Sequence, residues 1–102
     1  MSTPPLEHPG AALERAVIAL RGMAYEHRLH ILVLLLAGEQ TPAELAAAIA
    51  ADPTAVAHHL RSLKDAQLVK RHRRGRHVFY SLRGDATRRL VGEVLKYAAN
   101  PT

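Results

Sequence analysis

Two helix starts, written one after the other, constrain this chain more than any other feature. Thr41-Pro42-Ala43-Glu44 offers an N-cap hydroxyl, a proline at the first helical position and a glutamate at the third, the reciprocal arrangement of a capping box. Asp52-Pro53 repeats the cap-plus-proline device. The first of these helices must therefore be short, with Leu45 and Ile49 inward and its end near Ala51. The second runs to about Asp65. Two short capped helices across a tight turn make a helix-turn-helix. The period then changes. Leu68 to Arg73 and His77 to Leu82 are β-favouring runs flanking Arg74-Gly75, which predicts a hairpin turning on that pair. Val78, Tyr80 and Leu82 would share one face with Phe79 on the other, and His72 would face His77.

The flanking segments are helical by spacing. Leu13, Val17 and Leu20 recur at helical intervals between Ala11 and Arg21. A second helix is expected from about Glu26 to Ala37, stopped by Gly38, with Leu29, Leu32, Val33 and Leu36 as its stripe. The additional Leu34 and Leu35 imply burial on more than one side. Asp85 is expected to cap a last helix reaching roughly Ala98, with Leu90, Val91, Val94 and Leu95 apolar. Residues 1–9 carry three prolines and read as a flexible arm, leaving residues 10–99 as one domain. The order helix, helix, helix-turn-helix, hairpin, helix describes a mainly α fold with a β-hairpin wing: a winged helix-turn-helix.

Composition narrows the function. With 102 residues there is room for a single modest core, and 18 of the apolar residues are alanines, which bury little surface. A core this thin points to stability shared with a second subunit. The chain has no cysteine, which excludes disulfides, thiolate metal sites and cysteine nucleophiles. The longest apolar run, Leu29 to Ala37, is interrupted by His30 and is too short for a membrane span. Met1 to Gly10 has no basic region followed by an apolar stretch, so the cytoplasm is the default compartment and no membrane partner is expected. No glycine-rich phosphate loop is present and the chain is too short for a catalytic cleft, which argues against an enzyme.

The net charge of +5 is unevenly spread. Residues 1–60 hold three arginines against six acids. Residues 61–89 hold ten Lys/Arg against Asp65 and Asp85, a net of +8. Such concentration suits a phosphate backbone, a solvated basic face or an acidic lipid surface. Arginine outnumbers lysine eleven to three, which favours forked contacts to phosphate or guanine edges. Beside a helix-turn-helix, double-stranded DNA is the expected partner.

Four stretches resemble the ArsR/SmtB metalloregulators of bacteria: Glu26 to Leu32, Thr41 to Ala46, Ala55 to Leu63, and Gly75 to Leu82. The resemblance as a whole covers about residues 11–98. The resemblance implies a homodimeric transcriptional regulator that binds inverted-repeat operators, with affinity controlled by a metal or another small inducer. The high Ala and Arg content and the absence of thiols are compatible with a nickel-responsive actinobacterial branch.

Helix geometry then places the DNA surface. Val56, Leu60 and Leu63 carry the apolar spacing and must face the core. Thr54, Ala57, His58 and Arg61 are opposite, with Thr54 and His58 near the end that enters the major groove in this fold. Arg61 and Lys64 are placed to grip phosphates, His59 at the boundary of the face, and Arg73, Arg74 and Arg76 at a wing tip that reaches the minor groove or backbone. The spare stripes Leu13, Val17, Leu20 and Leu90, Val91, Val94, Leu95 form the expected dimer surface. It would set the two recognition helices roughly 34 Å apart.

The family's sensor sites are broken. Where one site carries cysteines, this chain has Val33, Leu34 and Leu35; where another carries an Asp-x-His pair, it has Asp85 but Thr87, and Lys96 to Pro101 supplies no imidazole or carboxylate. His27 and His30 share one helical face and are the candidate ligands, supplemented by Glu26, Glu14 or His8. Oxygen and nitrogen donors suit weakly bound nickel or zinc. The alternatives are a constitutive DNA binder whose signal is sensed by a separate metal-binding protein, and a winged-helix interaction module that binds no DNA.

Overall fold

The computed structural model describes residues 9–100. Seven elements follow in order: α1 (Pro9–Met23), α2 (Glu26–Leu35), α3 (Pro42–Ile49), α4 (Pro53–Asp65), β1 (Val69–Arg74), β2 (His77–Leu82) and α5 (Asp85–Ala99). This is the winged helix-turn-helix order. The expected arm falls outside the described residues except for Pro9, which already belongs to α1. Among the described residues no helix is long and apolar enough to cross a membrane.

The central element is α2. Ile31, Leu32 and Leu35 are fully buried, and Val33, Leu34 and Leu36 pack against the same core. It touches α1, α3, α4, α5 and β2, which explains why leucines occur around nearly its whole circumference. Its regular part ends at Leu35, two residues before the expected Ala37. The amides of Leu36, Ala37 and Gly38 each reach back three residues, to Val33, Leu34 and Leu35, so the last turn tightens before Gly38 leaves at φ +142.

Both expected caps of the helix-turn-helix form. Glu44 N–H donates to Thr41 Oγ1 at 3.1 Å while Thr41 N–H donates to Glu44 Oε1 at 2.8 Å. Asp52 Oδ2 accepts from the amides of Thr54 and Ala55. The helix α3 ends at Ile49, and the left-handed Ala50 starts the turn. Leu45 from α3 and Val56, Leu60 and Leu63 from α4 are completely buried.

The hairpin forms, but one residue out of the expected register. Arg74 pairs with His77, so the turn is Gly75-Arg76 and not Arg74-Gly75. Gly75 takes φ +61 at the first central position, the place where a type II′ turn requires glycine. The shift means that His72 pairs with Phe79 and does not face His77. Tyr80 also exchanges two backbone hydrogen bonds with Gln40, at 2.8 and 3.0 Å, tying the wing to the residue just before the cap of α3.

Asp85 does not cap α5. Gly84 occupies the cap position in extended conformation, no side chain caps the helix, and Asp85 contributes only its charge to the first turn. Val91 is fully buried and joins the core of the subunit.

Candidate nucleic-acid interface

The helix α4 separates its residues by face. Its apolar side is sealed into the core, and Thr54, Ala57, His58, Arg61 and Lys64 are all exposed on the other. A groove of about 280 Å³ lies between this face and the hairpin, lined by Ala57, Arg61, Lys64, Arg71 and Tyr80. Three cations thus line one concave surface.

Arg71 and Tyr80 were not singled out from sequence. Strand parity was the available signal. They pair across the hairpin, on the same face as the buried pair Val69 and Leu82, and that face is turned to α4. Arg73, paired with Val78, shares it, and Arg76 stands exposed in the turn.

Arg74 belongs to the opposite face. The Glu39 carboxylate, in the loop before α3, holds the Arg74 guanidinium with one oxygen and accepts from His72 Nε2 at 2.7 Å with the other. The guanidinium carbon lies 4.5 Å over the Phe79 ring, against which His72 also stacks. Arg74 is therefore tied to the loop that precedes α3, while Arg71 lines the groove and Arg73 shares its strand face. Glu39 was invisible in the sequence because its partners lie more than thirty residues away.

Behind the recognition face lies a histidine cluster. Arg28 Nε donates to His59 Nδ1 at 3.2 Å; the His27 ring meets His59 edge-on at 5.7 Å and the His58 ring lies 6.1 Å from it. Burial, then the Arg28 guanidinium and the His27 and His58 rings, holds the His59 imidazole below its ordinary pKa. Of the candidate metal ligands, His27 is thus drawn beside His59, and His30 is exposed. Among the described residues no three His, Asp or Glu side chains are grouped to hold a metal ion, and His8 lies outside them.

The expected dimer stripes divide. Leu13, Val17 and Leu20 on α1 are exposed, and Leu95 on α5 is 44% exposed. Leu90 and Val94 are partly buried against the core. Val91 must be removed from the dimer surface: the single core reaches α5 at this position and covers the side chain completely. Ile18 and Tyr97 are further exposed apolar residues that the spacing did not mark.

Residues 26–71 match the family model described as bacterial regulatory protein, arsR family. The transcriptional activator HlyU of Vibrio cholerae is 32% identical over 77 residues, covering 76% of this chain and 71% of that protein. The transcriptional regulator NmtR of Mycobacterium tuberculosis is 34% identical over 94 residues, covering 92% and 77%. A homodimeric winged helix-turn-helix DNA-binding domain from Mycobacterium bovis superposes with a TM-score of 0.84 at 28% identity, covering 97% of this chain and 91% of that domain. The capped helix pair, the wing and this similarity over most of both chains lead to one conclusion: the chain belongs to the ArsR/SmtB family of bacterial transcriptional regulators.

Proposed function

We propose that the chain acts as a homodimer that binds an inverted-repeat DNA operator and thereby regulates transcription. The observation that carries this reading is the basic groove between α4 and the hairpin, where Arg61, Lys64 and Arg71 line one concave surface. Thr54 and His58, at the leading half of α4, are the base-reading candidates; Arg61, Lys64, Arg71, Arg73 and Arg76 serve the backbone. Arg74 serves the wing from its far face, through its tie to Glu39. Dimerisation is supported by the exposed apolar stripe on α1 with Leu95 on α5, and by the homodimeric state of the Mycobacterium bovis domain. A metal bound by His27 and His30 needs a third ligand from beyond the described residues, from His8 or from a second protein.

Fluorescence anisotropy on a labelled inverted repeat, taken from DNA upstream of the gene and titrated with salt, tests this directly. Wild type is expected to bind with a steep salt dependence, and Arg61→Ala to lower affinity and reduce the logarithmic salt slope by about one per subunit contact. An unchanged slope removes α4 from the interface. Failure of the wild type to bind at low salt leaves the winged-helix interaction module as the better description.

A further inference from the structure

The first 60 residues contain only three cationic side chains of the Lys/Arg type, Arg15, Arg21 and Arg28, in a segment that is otherwise acidic. The fold brings two of them to one cleft and the third to a cavity beside it. Arg21 and Arg28 line a cleft of about 590 Å³ between α1, α2 and the C-terminal half of α4. Arg15 lines an adjoining cavity of about 240 Å³ that shares Ile18, Asp65 and Ala66 with it. No ion pair among the described residues engages any of the three arginines. On α4 this cleft uses Ser62 and Asp65, with Ala66 at the helix cap, where the basic groove uses Ala57, Arg61 and Lys64.

The floor is apolar. Gly22 allows α1 to approach Ala66 so closely that a Cβ there would lie 2.8 Å from the Ala66 methyl group. Ile18 remains 53% exposed beside it, on the flank of α1 away from the Leu13, Val17 and Leu20 stripe. A nucleic-acid backbone has no apolar body to cover such a floor. The volume falls in the range of small-molecule sites. We propose that this cleft is an effector site for a small organic anion, a carboxylate or phosphate carried on an apolar body, held by Arg21 and Arg28 with Arg15 in the adjoining cavity at its edge.

Arg28 connects the site to the recognition helix. Its guanidinium carbon sits 4.4 Å over the Tyr25 ring, which fixes its plane, and its Nε donates to His59. His59 adjoins His58, which is exposed on α4. An anion drawing on the remaining N–H donors of Arg28 changes the hydrogen bond to His59 and is felt at His58. That the occupant controls DNA binding rests on the function proposed above; that the cleft takes an anion does not.

The test uses the free full-length protein, so its outcome is separate from operator binding. Amide and imidazole NMR signals are followed during titration with 1-naphthoate and 1-naphthyl phosphate, with 1-naphthalenemethanol as the neutral match. Expected are shifts at Ile18, Gly22, Ser62 and Ala66 with at least one of the anions, accompanied by movement of the His58 ring signals, and none with the alcohol. Arg15→Gln combined with Arg21→Gln changes two exposed side chains and is expected to weaken binding about tenfold or more. A response to neither anion, an equal response to the alcohol, unchanged affinity in the double variant, or shifts centred on Leu13, Val17 and Leu20 would each overturn the site. Binding in the cleft that leaves His58 unmoved would overturn its effector role.

Discussion

Gly22 shows what a missing side chain can decide. A Cβ at this position would meet Ala66 Cβ at 2.8 Å and Leu68 Cδ1 at 3.0 Å, and the alanine methyl group has no rotamer by which to retreat. Gly22→Ala gains roughly 1 kcal/mol of helix propensity but overpacks the α1–α4 contact at a cost of about 1–3 kcal/mol. Net destabilisation of about 1 kcal/mol is expected in urea unfolding; a stabilised variant would show that α1 can move aside. His59 is the second residue whose setting matters. Its folded pKa is lowered, chiefly by burial, so the unfolded chain binds more protons than the folded one once pH drops through the ordinary imidazole value near 6.5. Stability supported by neutral His59 is complete above that value and declines as pH falls toward the lower folded pKa. His59→Gln keeps an acceptor for Arg28 and is expected to flatten this part of the profile of thermal midpoint against pH. An identical acid slope in the variant would assign the loss to other groups.

Among the elements, α3 and α4 are the ones whose starts are built from neighbouring residues alone. Thr41 and Glu44 satisfy each other across three positions, and Asp52 serves its own first turn, so both were legible in sequence. Thr41→Ala removes one half of the capping box and should cost about 1 kcal/mol, within a range of about 0.5–2. Chemical denaturation measures it, and a cost near zero would mean that Pro42 and the Gln40–Tyr80 backbone pairing hold the helix start without the hydroxyl. The hairpin shows the other case. Its two runs were legible, but the turn was misplaced by one residue, which exchanged the partners of both histidines. Turn chemistry favours Gly75-Arg76, because a type II′ turn takes glycine first whereas Arg74-Gly75 would force Arg74 to positive φ. The fold uses that pair, which puts Gly75 first at positive φ and leaves Arg74 in the ladder, against Glu39.

At the scale of the whole molecule, the subunit leaves apolar surface that its own core does not use. Leu13 is 63% exposed and Leu20 53%, on the outer side of a helix that contributes little beyond Ala19 and Met23 to the interior. An isologous dimer covers such a stripe with its own copy. Leu13→Glu combined with Leu20→Glu is expected to shift sedimentation toward the monomer while retaining helical circular dichroism, and to weaken binding to a two-half-site operator far more than to a single half-site. A variant that remains dimeric would move the interface away from α1.

The helix-turn-helix, its buried triad of Val56, Leu60 and Leu63, and the basic balance of residues 61–89 were determined by sequence alone. Capping, 3.6-residue periodicity and net charge are properties of neighbours along the chain. What only the tertiary structure decided is which charges meet. Arg71 faces Arg61 and Lys64 because strand parity and the packing of β1 against α4 put it there. Arg74, three residues on, crosses to the other face and is claimed by Glu39. Val91 disappears into the core, and Arg21 and Arg28 line one cleft with Arg15 in the cavity beside it. Electrostatic partners act through distance in space, and that distance is set by how helices and strands pack, which spacing along the chain does not encode.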